Sequence, residues 1–455
     1  MAMEKKAMAP IGKNERQGWP SIAFIWIGIV ICVPVLMVGG MLGQGLDFGS
    51  LVWVTLIGWG IVGAVMCLTG IMGSDLGLPS EMTSTKSFGN TGARIIVAML
   101  GAISAIGWFA IQSFTCGAAF VLLLKNSFGV DFPLWLSIII WSAVMVSSAI
   151  YGIKFLTILN YVAVPALIAL CVFVLVTILS SPGAGTEVLN YTPAQPIPFI
   201  SAVSTMIGCL AAGMVISADY SRYAKNRSAT VKATVIGVLP AALIICITGA
   251  VAAIVTGKTD ITEVFASLGF PVLAMIVLIL ATWTTNTGNA YIAGLGIMKT
   301  FNIKDSKRPL ITLVLGIIAT VVSLLLISEG VSAGMTTFLG FISIAVPPVA
   351  GVMIADYWIV GRGKVKNWHV VKGVNWIGVL AWAIPVVYLF AGGPNFLNAA
   401  IDSVVISMVA YLLLYLAFGK TKLAGGGAIS INDVVNMDAM ERAQETKIED
   451  EEGIY

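Results

Sequence analysis

The sequence predicts an all-α polytopic membrane protein of about twelve transmembrane helices, and three observations carry that expectation. Of its 455 residues, 58% are hydrophobic and 10% charged, with a mean hydropathy of +0.97, whereas a soluble domain carries roughly 25% charged residues. Apolar runs near the roughly 20 residues needed to cross a bilayer as a helix recur along the whole length, and a helix satisfies its own backbone polar groups in lipid. The basic residues alternate in step with those runs.

In order, the runs lie at 21–43, 50–74, 95–124, 133–153, 155–180, 198–218, 233–257, 269–298, 309–328, 332–355, 374–392 and 401–418, and are numbered spans 1 to 12. Residues 1–20 form a polar tail, and the run behind it is too long for a signal-peptide core, so no cleavage is expected. Cytoplasmic loops collect Lys and Arg. With both termini placed in the cytoplasm, all of the 25 basic residues except Lys125 and Lys258 fall on that side. An inner-membrane protein with an even number of spans is expected, and the net charge of +3 reflects topology, not nucleic-acid binding. Residues 419–455 pass through Gly425, Gly426 and Gly427 into a polar, acidic cytoplasmic tail ending near Glu449-Asp450-Glu451-Glu452.

The chemistry missing from the apolar runs narrows the function. All six cysteines lie inside them without CxxC spacing, as small buried hydrophobes. No carboxylate sits at mid-membrane and the single histidine, His369, lies in a loop, which disfavours a proton relay. Clustered metal ligands, an HExxH, a phosphate loop, a GxSxG and a potassium-filter sequence are all missing, so an enzyme or a selective channel is not expected. What remains is a site of neutral groups: carbonyls, hydroxyls, amides and aromatic faces.

Two spans carry irregularities of the kind that transporters use to free backbone groups at the bilayer midplane. In span 1, Pro34 cannot donate to the carbonyl of Val30, and Gly39-Gly40 come next. In span 6, Gly208-Cys209-Leu210-Ala211-Ala212-Gly213 spaces two weak helix formers. Close helix packing through small residues explains either span equally well. In span 8, Ala281, Thr284 and Thr285 share one helical face and offer a carbonyl and two hydroxyls. With carbonyls of Gly28 and Ile31 they compose a neutral cage for a hard monovalent cation, while the ordinary alternative is hydroxyls bonding back to the preceding turn.

Several short segments, in order and spacing, resemble the nucleobase-cation-symport-1 family on its cytosine/purine permease side. They are Gly39-Gly40, Gly107-Trp108-Phe109, Pro193-Ala194-Gln195-Pro196, Ser217-Ala218-Asp219-Tyr220, Trp283-Thr284-Thr285-Asn286, Gly294-Leu295-Gly296, Val346-Pro347-Pro348 and Ile354-Ala355-Asp356-Tyr357. The resemblance implies a LeuT-like inverted repeat, here 21–181 (spans 1–5) and 198–357 (spans 6–10), followed by two further spans at 374–418. It also implies alternating access, and for sodium-coupled members an ion held by Gly28, Ile31, Ala281, Thr284 and Thr285. No other cofactor and no protein partner is implied.

For substrate, the resemblance places Trp108 as the stacking aromatic, with Gln112 one turn on as in the related hydantoin permease. Asn286 and Asn289 supply amides, and backbone at Gly208, Cys209 and Leu210 closes the other side. The chain departs from the cytosine permease pattern at Ala105, Leu210 and Ala281, where that pattern has glutamine, an aromatic and asparagine. The implied function is a sodium-coupled symporter for a small uncharged nitrogenous heterocycle, such as cytosine or a purine. The alternative is the same scaffold serving a hydantoin, allantoin or hydroxymethylpyrimidine, with protons as a second choice of coupling ion. Asp219 and Asp356, each at a helix end, are expected to be structural or gating charges paired with Arg222 or lysines.

Overall fold

Every predicted run is a helix in the computed structural model, which describes residues 10–151, 153–258, 260–267 and 271–429. Among the described residues, nine helices are long and apolar enough to cross a membrane, and Trp19–Val30 with Val33–Gly45 forms a tenth span bent by 57°. Two shorter apolar helices, Leu134–Tyr151 and Trp376–Phe390, occupy spans 4 and 11. Span 2 is Phe48–Leu76, span 3 Asn90–Phe128, span 5 Ile153–Leu179, span 7 Arg227–Thr256, span 8 Pro271–Phe301, span 9 Arg308–Glu329 and span 12 Ala399–Phe418. Span 6 comprises Phe199–Cys209 and Ala211–Ser221. Span 10 comprises Val331–Ala345, Pro347–Ile354 and π-helical turns over Ala355–Val360.

Polar caps set several ends outside the apolar runs. Asp47, Asn226 and Asn398 accept from Ser50, Ala229 and Ile401 backbone amides, which starts spans 2, 7 and 12. Left-handed Gly129 and Gly257 end spans 3 and 7. Spans 3 and 8 pack along their length, and a Cβ on Gly296 would stand 2.7 Å from the Ala98 carbonyl oxygen. The second half of span 1 lies as closely on span 7, where a Cβ on Gly43 would be 2.6 Å from Ala250 Cα. Close approach through glycine is how membrane helices gain dispersion contact without a hydrophobic driving force. Span 9, by contrast, turns Leu310, Leu313, Ile317, Ile318 and Val321 outward, as a lipid-facing helix does.

Both described chain ends lie at one end of the bundle, here the tail end, as an even number of spans requires. Arg16 Nη1 donates to the Ser74 carbonyl at 2.6 Å, and Gln17 bonds to Tyr223 and Lys225 through its backbone. After span 12, Ala428–Ile429 (β2) pairs antiparallel with Val370–Val371 (β1) from the loop behind span 10. Between spans 2 and 3, two short helices, Ser80–Thr83 and Thr85–Phe88, are bracketed by Gly77 (φ +73°) and Gly89 (φ +77°). The acidic tail beyond 429 and the first nine residues lie outside the described residues.

The span 1 irregularity is placed differently from the sequence expectation. The helix breaks at Ile31 and Cys32, before Pro34, and Pro34 sits in the first turn of the new helix. There its missing N–H would have been unpaired anyway, so proline starts a helix instead of interrupting one. Gly39 and Gly40 are helical and packed, facing Cys246 and Gly249 of span 7.

Candidate functional site

At the span 1 break the backbone ladder is re-routed. The Ile31 amide still donates to Ile27 at 2.9 Å, but the Cys32 amide turns to the Val30 carbonyl, also at 2.9 Å, and leaves Gly28 without it. No backbone amide reaches the Ile31 carbonyl among the described residues. Two carbonyls named from the sequence are thereby freed by two residues of extended or irregular backbone.

In span 8, Thr284 Oγ1 lies 3.0 Å and Thr285 Oγ1 2.9 Å from the Ala281 carbonyl oxygen. Both hydroxyls donate to that carbonyl, which is the ordinary back-bonded arrangement, and this same arrangement gathers the three oxygens at one point. Among the described residues, no hydrogen bond joins the span 8 hydroxyls to span 1.

Span 3 carries the two side chains expected from the sequence to meet substrate. Trp108 is half-buried, and its ring meets Phe338 of span 10 edge-on, with centroids 5.2 Å apart and planes at 83°. Gly107 makes room for Phe338, whose ring would collide with a Cβ there. Gln112 is 1% exposed, and its Oε1 is buried without a partner. Such an atom costs free energy until something donates to it, on the order of 1–3 kcal/mol.

Asn286 is fully buried, and its Nδ2 donates to the Phe109 carbonyl at 3.0 Å, to Ser113 Oγ at 3.1 Å and to Met145 Sδ at 3.2 Å. Asn289 is half-buried and donates through Nδ2 to Asn286 Oδ1 at 3.1 Å. The structure thus brings the Asn286 amide against span 3 at Phe109 and Ser113, with Asn289 bonded to it one turn along. Asn286 itself is committed to holding two helices together.

Span 6 is interrupted at Leu210 alone (φ −125°, ψ 29°). Gly208 faces span 10, where a Cβ would be 2.8 Å from the Leu339 carbonyl oxygen, so its smallness serves close packing. Cys209 is buried and Leu210 lies over Gly213. A small apolar pocket of about 20 Å³ is lined by Gly101, Ser104, Ala212, Ile216, Val346 and Val349. Ser104 stands one turn before Trp108.

Phe338, Ser113 and Met145 were not foreseen, nor was the interruption of span 10 at Val346. There the Val349 amide turns to Val346, and the Ala345 carbonyl instead accepts from Trp382 Nε1 at 2.9 Å. The pair Pro347-Pro348 signals that interruption, and Gly107 beside Trp108 signals that a ring seats against span 3.

Of the two aspartates expected to pair with Arg222 or a lysine, Asp356 meets a lysine. Asp356 is bridged by Lys86 Nζ at 2.9 Å and accepts from Ser87 Oγ at 3.0 Å. Asp219 accepts from the Ser80 amide at 2.8 Å. Glu81 meets Lys299, while Asp75 takes Arg227 on both oxygens and also accepts from Tyr357 Oη at 2.6 Å.

The family model of permeases for cytosine/purines, uracil, thiamine and allantoin matches residues 10–416. The chain belongs to the nucleobase-cation-symport-1 family. This permease is 28% identical to the cytosine permease of Escherichia coli strain K12 over 380 residues, covering 83% of this chain and 87% of that one. It is 27% identical over 435 residues to the hydantoin permease of Microbacterium maritypicum, covering 90% and 87%. Among solved structures it is similar to Mhp1, a family transporter in a closed conformation with bromovinylhydantoin bound. The TM-score there is 0.69 at 25% identity, covering 90% of this chain and 94% of that one. The permease is a multi-pass membrane transporter and not an enzyme.

Proposed function

We propose that the permease is a sodium-coupled symporter that imports a small uncharged nitrogenous heterocycle, a nucleobase such as cytosine or a purine. The observation that carries this reading is a neutral oxygen set. Carbonyls of Gly28 and Ile31 leave the ladder at a mid-span break, and Ala281, Thr284 and Thr285 cluster three oxygens on span 8. Freed carbonyls and hydroxyls without a carboxylate suit a hard, singly charged ion. No cofactor beyond that ion is invoked.

Trp108 stacks the ring, and Gln112 and Asn289 bond its amide edge, with Asn286 behind them. Backbone near Gly208, Cys209 and Leu210 bounds the far side. Five-helix units at 21–181 and 198–357 rock about this level, with 374–418 as an accessory pair. The protein lies in the inner membrane with the tail end in the cytoplasm, because that end collects the basic loops.

A second reading keeps the scaffold and changes the cargo to a hydantoin, allantoin or hydroxymethylpyrimidine, with sodium or protons as the coupling ion. Leu210 favours it, since the span 6 side offers no second aromatic face, and so does Gln112, whose Oε1 awaits a donor. The deciding experiment is uptake into proteoliposomes across a panel of such rings, with and without an inward sodium gradient. Uphill uptake of cytosine or a purine driven by sodium supports the first reading. Uptake confined to hydantoin-like rings selects the second, and indifference to sodium removes the ion assignment.

A further inference from the structure

We infer that Asn286 is a positioning residue that fixes the amide of Asn289, so that the site presents a hydrogen-bond acceptor there and takes rings carrying an N–H at that edge. This rests on the heterocycle reading above and goes further by assigning the polarity of one contact.

A carboxamide can turn either end toward a neighbour, so its orientation must be fixed by what surrounds it. Around one end of Asn286 stand the Phe109 carbonyl oxygen, Ser113 Oγ and Met145 Sδ, at 3.0, 3.1 and 3.2 Å. The carbonyl and the thioether only accept. The Ser113 hydroxyl directs its proton to Met145 Sδ at 3.8 Å, which leaves a lone pair toward Asn286. With acceptors alone on that side, Asn286 must place Nδ2 there, and its Oδ1 is turned toward Asn289.

One turn along, the second amide is fixed in the same way. Asn286 Oδ1 only accepts, so the Asn289 atom 3.1 Å away is Nδ2. Asn289 then offers Oδ1, on which no hydrogen bond falls among the described residues and which is not a buried orphan, beside the second hydrogen of Nδ2.

Its depth is set by the antiparallel packing of spans 3 and 8. Asn286 faces Phe109 and Ser113, and Gly296 faces Ala98 and Ala102. Asn289 therefore stands at the level of the intervening turn of span 3, that of Ala105 and Trp108. Gln112 contrasts with it: among the described residues no hydrogen bond falls on its Oε1, so the orientation of its amide is not fixed as that of Asn289 is. A site built around a fixed acceptor rejects a ring that cannot donate, because a polar atom is then left unpaired.

The test measures binding of cytosine, uracil and hydantoin to the purified permease, each beside analogues methylated at one ring nitrogen in turn. For at least one ring nitrogen, methylation is expected to weaken binding about tenfold or more. Asn289→Ala is expected to weaken the parent ring and bring that ratio close to one. Asn286→Ala is expected to lower the ratio while the parent ring still binds, a selectivity change that loss of packing alone does not produce.

If every N-methyl analogue binds within about twofold of its parent, the inference is overturned while the heterocycle reading stands. If no ring of the panel binds, and none of adenine, hypoxanthine, allantoin and hydroxymethylpyrimidine does either, both fall. Should Asn286→Ala fail to elute as a monodisperse protein, Asn289→Ala, which leaves the tie from Asn286 to Phe109 intact, decides; an unchanged ratio in either variant overturns the inference.

Discussion

Trp108 and Gln112 sit one turn apart on span 3, and their surroundings differ in a way that makes each separately testable. Trp108 already has an aromatic neighbour in Phe338, so truncating it removes a ring face without opening a buried polar group. Trp108→Ala is expected to abolish saturable ring binding in a protein that still elutes as a folded species; unchanged affinity would reject the stacking role. Thr285→Ala is expected to raise the sodium concentration needed for half-maximal uptake, with Thr285→Ser restoring it, and sodium titrations of uptake read both. The spacing of Ala281, Thr284 and Thr285 was legible because a helix fixes which side chains share a face. Phe338 was not, because its place beside Trp108 is a tertiary fact between residues far apart in sequence.

At the level of elements, the interrupted span 1 shows how local rules mislead by a few residues. The sequence marks span 1 by Pro34, yet the ladder fails at Ile31 and Cys32, because proline belongs in the first turn of the helix that begins at Val33. Gly39 and Gly40 look like part of the same weakness and are instead, with Gly43, contact points on span 7. Gly43→Leu is therefore expected to lower the thermal midpoint in detergent by overpacking, a cost of about 1–3 kcal/mol or more. Gly340→Ala, where a Cβ meets nothing within 4 Å, is expected to be neutral or slightly stabilising. Equal midpoints for the two variants would contradict a close-packed interface at Gly43.

Over the whole molecule, lipid imposes the pattern that made the twelve helices readable, since each must satisfy its own backbone in hydrocarbon. The count of basic loops located the tail end for the same reason, but it said nothing of which charges meet. Lys86 and Asp356 find each other from opposite halves of the chain, with side chains 10% and 2% exposed. Removing one partner of a buried pair leaves the other uncompensated, so Lys86→Ala is expected to cost about 3–5 kcal/mol. Adding Asp356→Asn to that variant is expected to recover part of the loss, as thermal denaturation of both proteins would show.

The stretch between Gly77 and Gly89 joins these charges to the rest of the bundle. Ser80 ties it to span 6, Glu81 to span 8 and Lys86 to span 10. Both bracketing glycines are left-handed, and Gly89 is so tightly seated that a Cβ would be 2.7 Å from the Asn375 amide nitrogen. A short body with a turn at each end and three lashings behaves as a yoke. Spans 6, 8 and 10 cannot travel apart at this end without one lashing parting, and the weakest of the three sets which span leaves first.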